Sequence, residues 1–160
     1  MRTKFFKIFL IILFIFVSSN LKAESIVFDS KNIKIEEDGN MIFATSGIAK
    51  IPLKKLKIKG DKFVYDRKNL ELIIFDNVRY IDLENNIIIE SQKMVYNELE
   101  NKVFSQSKTY LKLENKYEIK SSNVLFDRKL NKISSKDLTK VNDKLGNYFE
   151  FKKGLIFDVL

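Results

Sequence analysis

Cysteine and histidine are both absent from this 160-residue sequence, and proline (one residue) and glycine (five residues) are scarce. Without cysteine the protein has no disulfide bonds, no thiol nucleophile and no cysteine for a lipid anchor. Without histidine it lacks the most common general base and metal ligand. The sequence also has no glycine-rich phosphate loop and no Gly-x-Ser-x-Gly motif. We therefore predict a protein that is not an enzyme, with no catalytic residues, no metal site and no cofactor.

The N-terminus has the three parts of a secretory signal peptide. Three basic residues precede an uninterrupted apolar run at 8–17, and small residues lead to a cleavage site after Ala23. Ten apolar residues are fewer than the roughly 20 that a membrane-spanning helix needs, and an uncleaved anchor is the alternative. We predict a cleaved signal peptide at 1–23 and a single exported domain at 24–160.

The charge balance is mildly basic. The sequence has 29 lysine and arginine residues against 21 aspartate and glutamate residues, a net charge of +8. The predicted signal peptide contains four of the basic residues and no acidic one, so its removal would leave +4. Such an excess favours an anionic partner but is also normal for solubility, and we expect no nucleic-acid partner. The acidic residues are mainly in short polar clusters, where a turn is the expected role rather than acid–base catalysis.

The strongest pattern in the sequence is an internal repeat of about 30 residues. The segment Ile58–Tyr65 recurs as Ile89–Tyr96, as Ile119–Phe126 and, in degenerate form, as Phe151–Phe157. Asparagines divide the chain at intervals of 16, 16, 14, 16 and 16 residues: Asn69, Asn85, Asn101, Asn115, Asn131 and Asn147. A period that is halved by a turn-forming residue indicates successive hairpins of similar strands. Function is therefore expected along a surface that the repeat extends, rather than in one pocket.

Between the turns, apolar residues keep a period of two rather than the helical spacing, which predicts antiparallel strands of roughly 10–12 residues, about 35–40 Å long. Each full copy of the repeat has a small residue at the same position: Gly60, Ser91 or Ser121. Strict alternation beyond Gly60 would bury a lysine, so we predict a bulge or bend here that keeps Phe63 and Tyr65 on the inner face. A bend at the same height in successive strands would curl the whole sheet.

The segment Ile58–Tyr65, the asparagine-divided period and the segment Asp38–Gly47 resemble the OstA-like domain of the LptA/LptD lipopolysaccharide transport family, over about residues 25–160. The resemblance implies an all-β fold, an antiparallel meander that forms a half-open β-jellyroll with an apolar interior. It further implies a periplasmic module at the inner face of the outer membrane, which shields the acyl chains of lipopolysaccharide (lipid A) and passes them toward that membrane. Other jellyroll domains of the lipopolysaccharide bridge would dock on its strand edges. The segment at 146–158 looks more like the LptD version.

The resemblance also implies which residues contact lipid, namely those that line the groove. These predicted lipid-binding residues are Ile58, Phe63, Tyr65, Leu72, Ile74, Ile89, Met94, Tyr96, Ile119, Val124 and Phe126. Burial of acyl surface against them is worth about 25 cal/mol per Å² and is non-directional, which suits cargo that must slide. The chain ends on a strand pattern, so we expect either a docked edge or a longer parent protein.

Several alternatives stay open at this point. The same apolar residues could fill a closed sandwich core. The repeat could form a β-solenoid with a structural or adhesive role. Strands that cross the outer membrane are a third possibility, but apolar triplets such as Phe63–Tyr65 have no polar face. The lysine pairs Lys54–Lys55 and Lys152–Lys153 could contact lipid phosphates or form a solvated face.

Overall fold

The computed structural model describes residues 26–114 and 116–159, and the predicted signal peptide lies outside this part of the chain. The described residues form thirteen β-strands and two single helical turns, at Glu37–Gly39 and Pro52–Lys54. The strands are β1 Val27–Glu36, β2 Met41–Ile51, β3 Leu56–Asp66, β4 Glu71–Asp82, β5 Ile87–Asn97, β6 Lys102–Gln106, β7 Lys108–Leu113, β8 Tyr117–Ser122, β9 Leu125–Asp127, β10 Lys132–Ser135, β11 Thr139–Asp143, β12 Tyr148–Phe151 and β13 Leu155–Asp158. All of them pair antiparallel in one sheet. The predicted all-β meander is confirmed.

The described chain crosses the sheet nine times, and each crossing from one end of the strands to the other is called here a passage. Strands β1 to β5 each complete one passage without a break. Each of the four later passages is interrupted half-way, so that it consists of two short strands: β6 with β7, β8 with β9, β10 with β11, and β12 with β13. One passage and its return therefore account for the 30-residue repeat.

The interruptions fall on one line, called here the crease, which divides the sheet into two leaves. Leaf 1 contains β6, β9, β10 and β13, and leaf 2 contains β7, β8, β11 and β12, while β1 to β5 run through both. Residues with positive φ mark the crease: Ser46, Asp76, Asn77, Ser107 and Asn123. The sheet does not close on itself, because β1 is unpaired at one edge and β12 and β13 are unpaired at the other.

The predicted bend is confirmed, but the extra residue is in a different strand. The pairing of β3 with β4 shifts register at the crease, and the adjacent residues Asp76 and Asn77 of β4 accommodate the shift with positive φ. Gly60 serves another purpose. A Cβ atom at this position would overlap the Cγ2 atom of Ile74, because side chains converge where the sheet folds. The small residue is thus required by space rather than by backbone conformation.

Asn69, Asn85, Asn101 and Asn131 of the repeat lie in turns, as predicted, whereas Asn115 lies outside the described residues. Asn101 and Asn131 adopt positive φ, a conformation that asparagine tolerates better than most residues. Asn69 and Asn85 donate from both backbone and side chain to the carboxylate of the aspartate three residues earlier. These turns form the free ends of the leaves, called here the tips, opposite the crease.

Candidate functional site

The interior of leaf 1 carries a continuous row of apolar side chains, one from each passage. Cross-strand pairing places the aromatic residues of the sequence repeat in this row, with an aliphatic residue between each pair. In order from β1 to β13 the row is Ile35, Ile42, Tyr65, Leu72, Tyr96, Val103, Phe126, Ile133 and Phe157. A repeat along the chain has become a track across the sheet, about 38 Å long at the usual spacing of strands.

Leaf 2 carries a matching row. Its members, from β1 to β12, are Phe28, Ala49, Ile58, Tyr80, Ile89, Leu111, Ile119, Val141 and Phe149. The two rows face each other across the interior, since the rings of Tyr80 and Phe126 meet edge to face with centroids 6.5 Å apart. The interior is therefore lined by apolar side chains on both walls over its full length.

All eleven predicted lipid-binding residues lie in this interior, and none is more than 5% exposed. Their side chains point inward on both sides of the crease, as the bend predicted near Gly60 requires. They pack into a single buried core, so their contact with lipid stays a prediction. The sequence argument missed about half of the lining, such as Tyr80, Leu111 and Val141, because these residues lie in return passages, from which only Leu72 and Ile74 were predicted. The period-two pattern of those passages was the signal that could have identified them.

The apolar lining continues to both ends of the interior and is exposed there. At the β1 end, Ile33 and Ile35 pair with the buried residues of β2 and are 49% and 59% exposed. At the other end, Phe149 and Phe151 pair with the buried residues of β11 and are 47% and 37% exposed. Each end of the molecule thus presents an apolar surface next to an unpaired strand edge.

The tips of the two leaves meet along a seam opposite the crease. At the C-terminal end of the seam, the rings of Tyr117 in leaf 2 and Phe157 in leaf 1 pack edge to face at 5.3 Å. Nearer β1, the ring of Phe28 packs against those of Phe63 and Tyr65 at 5.8 and 6.3 Å. Aromatic contacts therefore bridge the leaves on both sides of the molecule.

The middle of the seam is ionic, and its residues are called here the seam cluster: Lys54, Asp82, Glu84, Tyr96, Glu98 and Arg128. From leaf 1, the Nε of Arg128 donates to Asp82 Oδ2 at 2.7 Å and its Nη2 to Glu84 Oε2 at 3.1 Å. From leaf 2, the Nζ of Lys54 donates to the hydroxyl of Tyr96 at 3.0 Å and to the carbonyl of Glu98 at 3.4 Å. Each leaf therefore contributes one cation that binds acceptors on the other leaf.

Burial and charge together set the ionisation of this cluster. Burial alone would raise the pKa of Asp82, but hydrogen bonds from Arg128 and Asn85 outweigh it and leave the pKa lowered. Burial would likewise lower the pKa of Arg128, but its bond to Asp82 leaves that pKa raised. Burial, and then the hydrogen bond to Glu98, raise the pKa of Tyr65. The guanidinium and the carboxylate are thus both charged at neutral pH.

A second concavity, about 1280 Å³, runs along the outer side of the crease. Most of its lining residues are polar or charged, with charges of both signs, including an ion pair of 3.2 Å between Arg79 and Glu90. Its lining has no continuous apolar row, in contrast to the interior. Among the described residues, no group of carboxylates is arranged to hold a metal ion, and no helix has the length and apolar character to span a membrane.

No protein-family model matches the sequence, and no curated protein is similar to it in sequence. The fold is similar to the crystal structure of LptH, the LptA-homologous periplasmic component of the lipopolysaccharide transport device of Pseudomonas aeruginosa. The superposition has a TM-score of 0.55 with 9% sequence identity, and it covers 65% of this chain and 76% of that chain. At this identity the likeness concerns the fold, and the predicted LptA-like β-jellyroll is confirmed.

Proposed function

We propose that this protein is a periplasmic lipid-transfer module that shields lipopolysaccharide acyl chains in its interior and passes them toward the outer membrane. The observation that carries the proposal is the pair of apolar rows, which face each other over nine passages and end in exposed apolar residues at both edges. A closed core would have no reason to continue its lining to two open ends. LptH, whose solved structure has a similar fold, is a component of a lipopolysaccharide transport device.

Acyl chains bind this interior without a preferred position. Each row changes only between aliphatic and aromatic side chains from one passage to the next, so a chain that moves by one strand spacing finds a similar surface. Apolar burial is non-directional and proportional to area, which keeps the binding free energy nearly constant along the track. Sugar groups remain in solvent, because most of the buried residues are apolar.

Other jellyroll domains dock at the two edges. Because the number of passages is odd, β1 and the β12–β13 edge run in the same direction, from the tip of leaf 2 to the tip of leaf 1. A neighbour that continues both leaves therefore adds its strand parallel to this edge. Such a contact covers an unpaired strand and joins the two exposed apolar ends, so one interior leads into the next. The site of action is the periplasm at the inner face of the outer membrane, after cleavage of the signal peptide.

Site-specific photocrosslinking in the living periplasm tests this function. A photoreactive residue at Phe63, Tyr96 or Val124 reports on the interior, and one at Lys57, on the exposed outer face, is the control. We expect crosslinks to lipopolysaccharide from the three interior positions and none from the control.

Crosslinks within the protein alone, from a folded chain, would instead support a closed core and a structural or adhesive role. The β-solenoid form of that alternative is wrong, because every strand pair is antiparallel and a β-helix repeats parallel strands.

A further inference from the structure

The bonds that hold the seam differ from those that hold each tip. Asp82 accepts hydrogen bonds from the backbone of Glu84 and Asn85 at 3.0 Å and from the side chain of Asn85 at 2.9 Å, all within leaf 2. Glu98 accepts from the hydroxyl of Tyr65 within leaf 1. Asp82 and Glu98 thus keep partners in their own leaves if the leaves separate. The bonds that cross the seam are made by the two cations.

Charge at this position needs an explanation, because buried ion pairs can often be replaced by apolar side chains without loss of stability. Elsewhere the two leaves are bridged by aromatic rings, so this fold could have used apolar contacts along the whole seam. The cluster is also reachable from solvent, since the side chain of Glu84 is 57% exposed although that of Arg128 is only 4% exposed. Arg128 therefore becomes accessible to an anion when the exposed side chain of Glu84 moves away from it.

We propose that the seam is the opening through which an amphiphile reaches the interior, and that Arg128 and Lys54 form the binding site for its anionic headgroup. Two bridging groups link these cations. The Nη1 of Arg128 donates to Asn101 Oδ1, which also accepts from the hydroxyl of Tyr96, and that hydroxyl accepts from the Nζ of Lys54. A phosphate between them accepts from both cations. It takes the place of Asp82 and Glu84, which accept from Arg128 in the closed seam, and of Tyr96, which accepts from Lys54. Bonds from the two cations to the phosphate replace the bonds across the seam that are broken when the tips separate. The apolar chain of the amphiphile then enters the interior beneath its headgroup.

This inference rests on the proposed lipid-binding function, and it adds a selectivity. When the tips separate, Arg128 and Lys54 lose the acceptors that lie on the opposite leaf. An anionic amphiphile supplies charged acceptors in their place, whereas a neutral amphiphile supplies none. Inorganic phosphate offers the headgroup without the apolar chain, so it gains nothing from the interior. Preference for an anionic amphiphile over both is the expected signature.

Calorimetric titration of the purified protein with three probes tests this signature. The probes are octyl phosphate, octyl glucoside below its micelle-forming concentration, and inorganic phosphate. We expect octyl phosphate to bind at least about tenfold more tightly than octyl glucoside, with no measurable binding of inorganic phosphate. In Arg128→Gln the preference for octyl phosphate should disappear, whereas Arg67→Gln, at an exposed arginine of the equivalent turn, should keep it.

The outcomes separate the two proposals. Equal affinity for the two amphiphiles overturns the headgroup site and leaves the lipid-binding interior standing. Binding of inorganic phosphate as tight as that of octyl phosphate identifies a free-anion site and overturns the coupling to the interior. Absence of binding by either amphiphile overturns the lipid-binding function together with this inference.

A crosslink across the seam gives a test that does not depend on a substitution of the buried arginine. The chain has no natural cysteine, so Leu83→Cys with Lys129→Cys gives one exposed thiol on each tip, joined by a short bismaleimide. The control pair, Leu99→Cys with Lys129→Cys, lies within leaf 1, where the Nζ of Lys129 donates to the carbonyl of Leu99 at 3.0 Å. We expect the first crosslink to reduce octyl phosphate binding at least about tenfold and the control to leave it unchanged. Unchanged binding after the first crosslink would show that amphiphiles enter elsewhere.

Discussion

Two turns of leaf 1 contain the same tripeptide, Asp-Arg-Lys, with opposite results for the arginine. In the turn after β3, Arg67 is exposed and its Nη1 donates to the carbonyl of Gly39 at 3.1 Å. In the turn after β9, Arg128 is buried and binds Asp82 and Glu84 across the seam. The local sequence sets the turn, since both aspartates accept hydrogen bonds from the backbone of the residues that follow. The tip that faces each turn decides what the arginine does.

This comparison shows how a repeat acquires a specialised position without a change in its own residues. The tip of leaf 2 opposite Arg128 has an aspartate in a row of inward-facing apolar side chains, between Leu56 and Ile87. That single inward carboxylate gives the guanidinium a buried partner. Arg67 donates to a backbone carbonyl instead of a carboxylate, and it remains at the surface.

The largest difference between the two turns is expected in stability. Arg128→Ala leaves the buried carboxylate of Asp82 without its cation and should lower the free energy of unfolding by about 3 kcal/mol. Arg67→Ala removes one exposed hydrogen bond and should change it by less than about 0.5 kcal/mol. Urea denaturation followed by circular dichroism measures both. Equal losses in the two variants would show that the burial of Arg128 has no energetic consequence.

A smaller effect is expected from the carboxylate side of the pair. Because the pKa of Asp82 is lower in the folded state than its ordinary value of 3.8, its ionised form stabilises the fold above that value, and the stabilisation is lost as the pH falls through the lower folded-state pKa. Asp82→Asn should cost about 2 kcal/mol at pH 7 and should flatten the loss of stability below pH 4. Urea denaturation at a series of pH values measures this.

The aspartate of the exposed turn provides the control for that experiment. Hydrogen bonds from Asn69 lower the pKa of Asp66 as well, so the sign of its pH dependence is the same. Since Asp66 does not pair with a buried cation, Asp66→Asn should alter the acid limb less than Asp82→Asn does. A larger change in the Asp66 variant would contradict the importance of the seam.

The smallest effect is expected when both partners lose their charge. Asp82→Asn combined with Arg128→Met removes both charges, keeps similar volumes and leaves an amide oxygen to accept the turn hydrogen bonds, so the double variant should lie within about 1 kcal/mol of the natural protein. Together with the single variants Asp82→Asn and Arg128→Met, it gives the coupling energy of the pair. A double variant as unstable as Arg128→Ala alone would mean that the ion pair, not the absence of an unpaired charge, stabilises the closed seam.

The strands, their inner face and the position of the crease along the strands could be predicted from the sequence. Apolar alternation and the recurrence of Gly60, Ser91 and Ser121 are local patterns, and local patterns survive in a meander whose neighbours in sequence are neighbours in space. The location of the extra residue in β4 was not predicted, because the positive φ of Asp76 and Asn77 has no counterpart in the repeat. The seam was also missed. Arg128 and Asp82 are 46 residues apart, and the equivalent Arg67 shows that the tripeptide alone does not predict burial.

The odd number of passages also limits the kinds of assembly open to this protein. Its two edges are different surfaces, so a contact between them is heterologous, and no two-fold axis relates the partners. Successive copies would add with one polarity, and such an addition has no built-in stopping point. The number of copies in a row would then depend on proteins that bind only one kind of edge, one terminating the row at β1 and another at β13. The direction of the transport proposed above would in that case be set by the order of the partners, since the apolar character of the two rows does not change systematically from one end of the interior to the other.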